Sequence, residues 1–125
     1  MRATHWSAPI HALERTYPRG LDTEVMAFSA LESAWTEARK AYQREHVTPF
    51  LYQHPERFKI LSVKGDRDYS QYRWTLDTPE DLEFLSAVYT RGVDRQDLTW
   101  QDVLNMLERE PELAEINRHV VQKAI

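Results

Sequence analysis

Three stretches of the sequence group polar side chains in patterns that suit chemistry. Asp77 follows an alternating apolar segment and directly precedes a helix start, and α/β proteins hold ligands at such carboxyl ends of strands. Asp22 and Glu24 flank one residue, so on an extended segment both point to the same side, where paired acceptors suit sugar hydroxyls. Glu45 and His46 are predicted to open a helix, and His46 could transfer a proton near neutral pH.

Each of these residues also has a simpler interpretation. Asp77 could only start a helix, and Asp22 with Glu24 could form a solvated strand edge. His46 could be a capping or surface residue. Arg73, on the polar side of its segment, could pack over a neighbouring acid or contact an anionic donor. The patterns alone leave both interpretations open.

The elements that would position these residues are short. Strands are predicted at 24–28, 58–63 and 72–76, the last because it alternates without a fault. Helices are predicted from a Ser29 cap to about Ala41, over 44–54 with Pro49 in its first turn, from Thr78-Pro79 to Arg91, from Thr99 onward, and from Pro111 to Ile116. The sequence therefore predicts one α/β domain of about three strands and five helices.

Composition narrows the classes of function. The chain has 125 residues and no cysteine, and 16 basic against 20 acidic residues give a net charge of −4. Because no stretch concentrates the basic residues, nucleic acid is not an expected partner. No apolar run is long enough to span a membrane, and the histidines lack metal-ligand spacing. We expect a cytoplasmic protein.

Four separated motifs resemble one known family. They are Tyr-Pro-Arg-Gly-Leu-Asp-Thr-Glu-Val at 17–25, Arg-Glu-His-Val-Thr-Pro at 44–49, Trp-Thr-Leu-Asp-Thr-Pro-Glu-Asp-Leu at 74–82 and Glu-Leu-Ala-Glu-Ile-Asn at 112–117. In this order they resemble the spore-coat polysaccharide biosynthesis cytidylyltransferases, which are related to the synthetases that activate Kdo and sialic acids as CMP-sugars. The resemblance runs from about residue 15 to the end of the chain, whereas residues 1–14 stay unassigned.

The resemblance implies roles for particular residues. At the position of Asp77 the related synthetases carry an aspartate that helps to hold magnesium. The segment of Asp22 and Glu24 would line the acceptor-sugar pocket, with Arg19 available for a carboxylate or phosphate. Glu45 and His46 would face the active-site cleft. Arg73 is retained as a candidate contact to an anionic donor.

The resemblance covers only the C-terminal half of a family member, a Rossmann-like nucleotide-diphospho-sugar transferase fold. The family's glycine-rich loop for the CTP phosphates has no counterpart, because Gly20, Gly65 and Gly92 are far apart. We expect a sugar-activating cytidylyltransferase portion that binds a sugar and CTP, is inactive alone, and holds magnesium weakly or not at all. The alternatives are an assembly module, which self-associates or pairs with a separate N-terminal polypeptide, and an unrelated small α+β protein.

Overall fold

The computed structural model describes residues 14–122, so the unassigned N-terminal segment lies outside the described residues apart from Glu14. It contains six helices: α1 (Phe28–Glu37), α2 (Ala41–Glu45), α3 (Pro49–Tyr52), α4 (Pro79–Arg91), α5 (Trp100–Arg109) and α6 (Glu112–Glu115). The contacts divide the described chain into two compact units. The first unit comprises residues 14–17 and 22–68, and the second comprises 18–21 and 69–122.

The core of the first unit joins small residues of α1 to large residues of α3. Alanines recur every four residues at 30, 34 and 38, so they form one stripe along α1. Their small side chains leave room for Phe50, Leu51 and Phe58, which are all buried. This stripe, and not an N-terminal cap, determines where α1 lies.

The predicted ends of the helices in the first unit are wrong. Helix α1 begins at Phe28 with Ala27 as its cap and no side-chain hydrogen bond there, so the predicted capping box at Ser29 does not form. The helix ends at Glu37 and does not reach Ala41, because Ala38 is already extended. The predicted helix over 44–54 is two short helices, α2 and α3, with Pro49 in the first turn of α3 as expected.

Helices α4, α5 and α6 form the core of the second unit. Thr78 caps α4 by accepting a hydrogen bond from the backbone nitrogen of Asp81 at 3.3 Å, and Gly92 ends that helix. Thr99 and Asp102 form the predicted capping box of α5. The buried side chains that meet are Phe84, Val88, Leu107 and Leu113. The strong local signals of the sequence are confirmed here.

The three predicted strands are not confirmed. Within residues 14–122 the β-structure is one parallel bridge between Arg19 and Arg73. In that bridge the backbone nitrogen of Arg19 donates to Tyr72 at 2.9 Å, and that of Trp74 donates to Arg19 at 2.7 Å. An alternating segment becomes a strand only where a neighbour completes its ladder of hydrogen bonds, and here the pairing ends after one residue.

Gly20 directly follows the bridge residue Arg19, at a place where a side chain would clash. Its φ is +107°, and a Cβ there would come within 2.3 Å of the carbonyl oxygen of Trp74. The absence of a Cβ at Gly20 therefore lets the Trp74 backbone approach closely. Elsewhere in residues 14–122, none of the helices has the length and apolar character needed to cross a membrane.

Candidate functional site

Asp77 stands immediately before α4 in the second unit, and its carboxylate faces solvent. The side chain is 63% exposed, and one oxygen lies 3.3 Å from Nη2 of Arg73. Its backbone nitrogen donates to Oδ2 of Asp81 at 3.0 Å, which holds the residue against the start of the helix. The predicted helix start after Asp77 is therefore confirmed, whereas the strand predicted to end before it does not form.

Asp81 is the centre of the polar network behind Asp77. The carboxylate is fully buried and accepts two hydrogen bonds from Arg73, through Nε and Nη2, at 2.9 Å each. Further bonds come from the hydroxyl of Thr75 at 2.7 Å and from Nδ2 of Asn117 at 2.9 Å. Together with the Asp77 nitrogen, five donor contacts converge on one carboxylate.

The charges in this network stabilise one another. Burial alone would raise the pKa of Asp81, but hydrogen bonds from Arg73, Thr75, Asp77 and Asn117 together hold it well below its usual range. Hydrogen bonds to Asp81 likewise raise the pKa of Arg73. Both groups therefore favour their charged forms, and the pair anchors α4 to the segment that precedes it.

The guanidinium nitrogens of Arg73 donate hydrogen bonds to other residues of the second unit. Besides the contacts to the two aspartates, Nη1 donates to Oε1 of Gln122 at 2.6 Å, and the side chain is buried. The simpler of the two interpretations, packing over a neighbouring acid, describes this geometry. A direct contact between Arg73 and a substrate anion stays a prediction, as does the predicted role of Arg19, whose backbone forms the bridge.

In the first unit, Asp22 and Glu24 have different surroundings. Asp22 pairs with Arg15, whose Nη1 lies 2.6 Å from Oδ1. Glu24 is half-buried. Burial raises the pKa of Glu24, the Thr48 side chain lowers it by a smaller amount, and the nearby charge of Asp22 raises it further. Asp22 is thus paired with a basic side chain, whereas the negative charge of Glu24 is poorly compensated.

Glu45 and His46 do not open a helix. Glu45 is the last residue of α2 and His46 is its C-cap, since the chain turns sharply before α3 begins. Both side chains are exposed, and Nε2 of His46 lies 4.0 Å from a carboxylate oxygen of Glu45. His46 is therefore accessible for proton transfer, at a turn and not on a helical face.

The turn after His46 is strained. Val47 has a φ of +66°, and the nitrogen of Thr48 donates to the carbonyl of His46 at 2.7 Å, which makes a γ-turn. A β-branched residue rarely adopts this conformation, and such strain is concentrated at functional sites. A shallow and largely apolar cavity of about 180 Å³ adjoins the turn; its lining comprises Leu31, Ala34, Trp35, Gln43, Arg44 and Val47.

The seven residues selected from the sequence thus fall into two groups. The second unit contains Arg19, Arg73 and Asp77, and the first contains Asp22, Glu24, Glu45 and His46. The sequence patterns did not single out Asp81, which accepts hydrogen bonds from Arg73 and Asp77, or Thr48, whose side chain lowers the pKa of Glu24. Asp81 had a usable signal, because a helix cap and an acid in the first turn often share a hydrogen-bond network. Thr48 had only its place in the motif 44–49.

The residues present do not by themselves form a magnesium site. Among the residues that the structure describes, no group of three acidic or histidine side chains is close enough to hold a metal ion. Asp77 offers one exposed carboxylate beside the cationic Arg73, and Asp81 has already committed its oxygens. Magnesium prefers several oxygen ligands, so Asp77 would supply at most one of them.

The chain is similar in sequence to known proteins. No family model matches the sequence. The chain is 35% identical over 107 residues to an uncharacterised protein of Methanocaldococcus jannaschii, an alignment of 84% of this chain and 44% of that protein. It is 29% identical over 100 residues to the spore coat polysaccharide biosynthesis protein SpsF of Bacillus subtilis, or 78% of this chain and 42% of that protein.

Among solved structures, a cytidylyltransferase from Leptospira borgpetersenii has a similar fold. The TM-score is 0.78 with 26% sequence identity, and the match covers 97% of this chain and 48% of the other. The chain therefore spans less than half the length of each of these relatives. The likeness extends over nearly all of its residues.

Proposed function

We propose that this chain, which is homologous to the spore coat polysaccharide biosynthesis protein SpsF and shares the fold of a cytidylyltransferase, forms the acceptor-sugar part of a sugar-activating enzyme. The complete reaction would convert CTP and an acidic or amino sugar into a CMP-sugar and pyrophosphate. The observation that carries the proposal is the structural match, which covers 97% of the chain. It is supported by the exposed carboxylate of Asp77 at the position that the resemblance assigns to the active site.

In this reaction a sugar hydroxyl oxygen attacks the α-phosphorus of CTP. A bond forms between that oxygen and phosphorus, the bond to pyrophosphate breaks, and the hydroxyl proton passes to a base. We assign the base to His46 because its side chain is exposed and imidazole is the side chain that most often acts as a general base. Glu24, Asp22 and Glu45 would accept hydrogen bonds from sugar hydroxyls, and Arg19 would pair with a sugar carboxylate or phosphate.

The triphosphate needs a binding loop that this sequence does not contain. Its three glycines are dispersed, so no glycine-rich turn presents backbone N–H groups to phosphates. Phosphoryl transfer depends mainly on holding the reacting groups in line. We therefore expect the 125-residue chain alone to form no CMP-sugar. Magnesium, to which Asp77 would contribute one ligand, would offset the phosphate charge when the remaining ligands are supplied.

An amide NMR titration tests the proposal. The 125-residue chain is titrated with magnesium and CTP, then with N-acetylneuraminic acid and Kdo. We expect sugar-induced shifts around Asp22, Glu24 and Glu45, and nucleotide-induced shifts around Asp77 that disappear in Asp77→Ala. Glu83→Ala, which removes an exposed acid from the adjoining helix α4, is the matched control. A well-dispersed spectrum that responds to none of these ligands would contradict the proposal.

A non-catalytic assembly module is a second candidate, favoured by the apolar surface of the first unit. Val25, Phe28 and Trp35 are each at least two-thirds exposed. Such side chains are common at surfaces that associate, either with a second copy or with a separate polypeptide. Light scattering over a concentration series tests this: a growing mass supports self-association, whereas a constant monomer mass at high concentration argues against it.

A further inference from the structure

Helix α1 carries apolar side chains on two sides, and one of these sides faces solvent. The stripe of alanines packs into the core of the first unit, whereas Phe28 and Trp35 are 78% and 68% exposed. These two residues are seven positions apart, which is close to two helical turns, so they lie on one face and about 10 Å apart along the axis. The first unit therefore presents an apolar helix face that its own core leaves uncovered.

The two ends of this exposed face have complementary shapes. At the N-terminal end of α1, the ring of Phe28 projects into solvent. Further along the helix lies the apolar cavity of about 180 Å³, whose walls include Leu31, Trp35 and Val47. That volume is below the roughly 300 Å³ of a typical small-molecule pocket, and it matches a single apolar side chain better.

One base and one acid beside this face have unused hydrogen-bonding capacity. The guanidinium of Arg44 lies 4.2 Å from the centre of the Trp35 ring and donates through Nη1 to the Trp35 carbonyl oxygen at 2.6 Å. Its other N–H groups make no hydrogen bond to a residue that the structure describes. Glu32 is exposed between Phe28 and Trp35, and within the described part of the chain its carboxylate has no basic partner.

We propose that this face of α1 pairs with the same face of a second copy of the chain, with the two helices antiparallel, so that each Phe28 ring enters the cavity beside the partner's Trp35. The inference rests on the second candidate function, self-association, and assigns its surface. A two-fold axis that passes between Leu31 and Glu32 makes both contacts at once, as an isologous interface requires. The same axis brings Glu32 of each copy within about one helical turn of the partner's Arg44.

A second copy is the occupant that this face fits, because the projecting ring and the receiving cavity lie on the same helix and a two-fold axis exchanges them. The opposite charges of Glu32 and Arg44 would favour this register. Tryptophan and arginine are also the residue types that most often dominate binding at interfaces. One face of a ten-residue helix is smaller than the about 800 Å² per partner of a stable complex, so we expect a dissociation constant above about 1 μM.

Sedimentation velocity over a concentration series measures the association of the 125-residue chain. We expect Phe28→Ala to weaken the dimer about 10- to 30-fold, because an aromatic anchor in a pocket contributes much of the binding energy. Tyr89→Ala is the matched control, since it removes a ring of 68% exposure from α4. The control should change the dissociation constant less than about twofold.

A charge exchange tests the register of the two helices. Glu32→Arg and Arg44→Glu should each weaken the dimer about 3- to 10-fold, and the double variant should recover most of the loss, because the pair is restored with reversed signs. If Arg44→Glu does not fold, Glu32→Cys provides a separate measurement in a chain without cysteine. Under mild oxidation it should form a disulfide-linked dimer across the two-fold axis, whereas the exposed control Glu83→Cys should stay monomeric.

The outcomes separate this interface from the functions on which it bears. A mass that grows with concentration but does not respond to Phe28→Ala or to the charge exchange would overturn the interface and leave the assembly candidate standing. A constant monomer mass up to high concentration would overturn both. Neither result decides sugar binding, which the NMR titration measures separately.

Discussion

Each unit contains an acidic side chain whose pKa is shifted by its surroundings, and the two shifts have opposite directions. In the second unit, Asp81 is fully buried but receives hydrogen bonds from two nitrogens of Arg73 and from three further groups, so its pKa is lowered. In the first unit, Glu24 is only half-buried, yet its pKa is raised because one hydroxyl does not compensate for burial and for the charge of Asp22. The number of donors, more than the depth of burial, separates the two cases.

The number of donors distinguishes a carboxylate that stabilises the fold from a carboxylate that can still accept a hydrogen bond from a ligand. A carboxylate with all its lone pairs occupied stabilises the fold and has little left for a ligand. A carboxylate with a single donor retains acceptor capacity, and its poorly compensated charge is the kind of group that functional sites use. On this basis Asp81 is an anchor, whereas Glu24 keeps the acceptor capacity that the proposed binding of a sugar requires.

The largest expected effect comes from removing the charge of the anchor. Asp81→Asn leaves Arg73 buried without its main partner, and breaking one half of a buried ion pair costs about 3–5 kcal/mol. Chemical denaturation measures the free energy of unfolding. Asp77→Asn, at the exposed end of the same network, is the control and should cost less than about 1 kcal/mol. Equal losses in both variants would refute the distinction between them.

Gly20 provides the next largest effect in the same unit. Gly20→Ala combines an unfavourable φ of +107° with a Cβ only 2.3 Å from the Trp74 carbonyl oxygen, so we expect a loss of about 2–4 kcal/mol. Gly92→Ala is the matched control, because there the nearest atoms belong to the flexible side chain of Leu98 at 3.2 Å. Thermal or chemical unfolding that ranks Gly92→Ala as the more harmful change would contradict this account of the bridge.

The response to acid sharpens the comparison between the carboxylates. Because the pKa of Asp81 is lower in the folded than in the unfolded protein, its stabilising contribution is complete above the unfolded value of about 4 and is lost as the pH falls below it. In Asp81→Asn, the free energy of unfolding should therefore depend less on pH below about 4 than in the unmodified protein. Parallel pH curves for the two proteins would show that Asp81 is not the group responsible.

Glu24 should give the smallest effect, with the opposite sign. Its raised pKa means that the folded protein disfavours the charged form, so Glu24→Gln should leave the free energy of unfolding at pH 7 unchanged or raise it by less than about 0.5 kcal/mol. The same variant should lose affinity for N-acetylneuraminic acid if Glu24 binds sugar. A clear loss of stability, with unchanged sugar affinity, would make Glu24 an anchor like Asp81.

Local sequence patterns predicted the second unit better than the first. The starts of α4 and α5 follow from threonine caps, a proline at the first helical position and acids in the first turn, and each of these acts within four residues. In the first unit, the same kind of reasoning placed a cap at Ser29 and one helix over 44–54. There the packing of the alanine stripe against Phe50 and Leu51 determines the helix ends, and the turn at Val47 interrupts the helix.

The candidate site shows the same division. The sequence located Asp77 before a helix and placed Asp22 and Glu24 on one segment, because both features depend on near neighbours. It did not reveal that Arg73 and Asn117, 44 residues apart, both contact Asp81, or that the side chain of Thr48 lowers the pKa of Glu24. Partners this far apart in sequence are brought together by packing, and no local pattern records them.

By itself, the sequence determined the capped helices α4 and α5, the family resemblance and the positions of the candidate acids, since caps and motifs are short-range features. Only the tertiary structure decided that, of the three predicted strands, just 72–76 takes part in β-structure within residues 14–122, through one bridge from Arg73 to Arg19, that Gly20 packs against the Trp74 backbone, and which carboxylate is saturated. The physical reason is that ladders, close approaches and pKa values depend on the groups that folding places nearby.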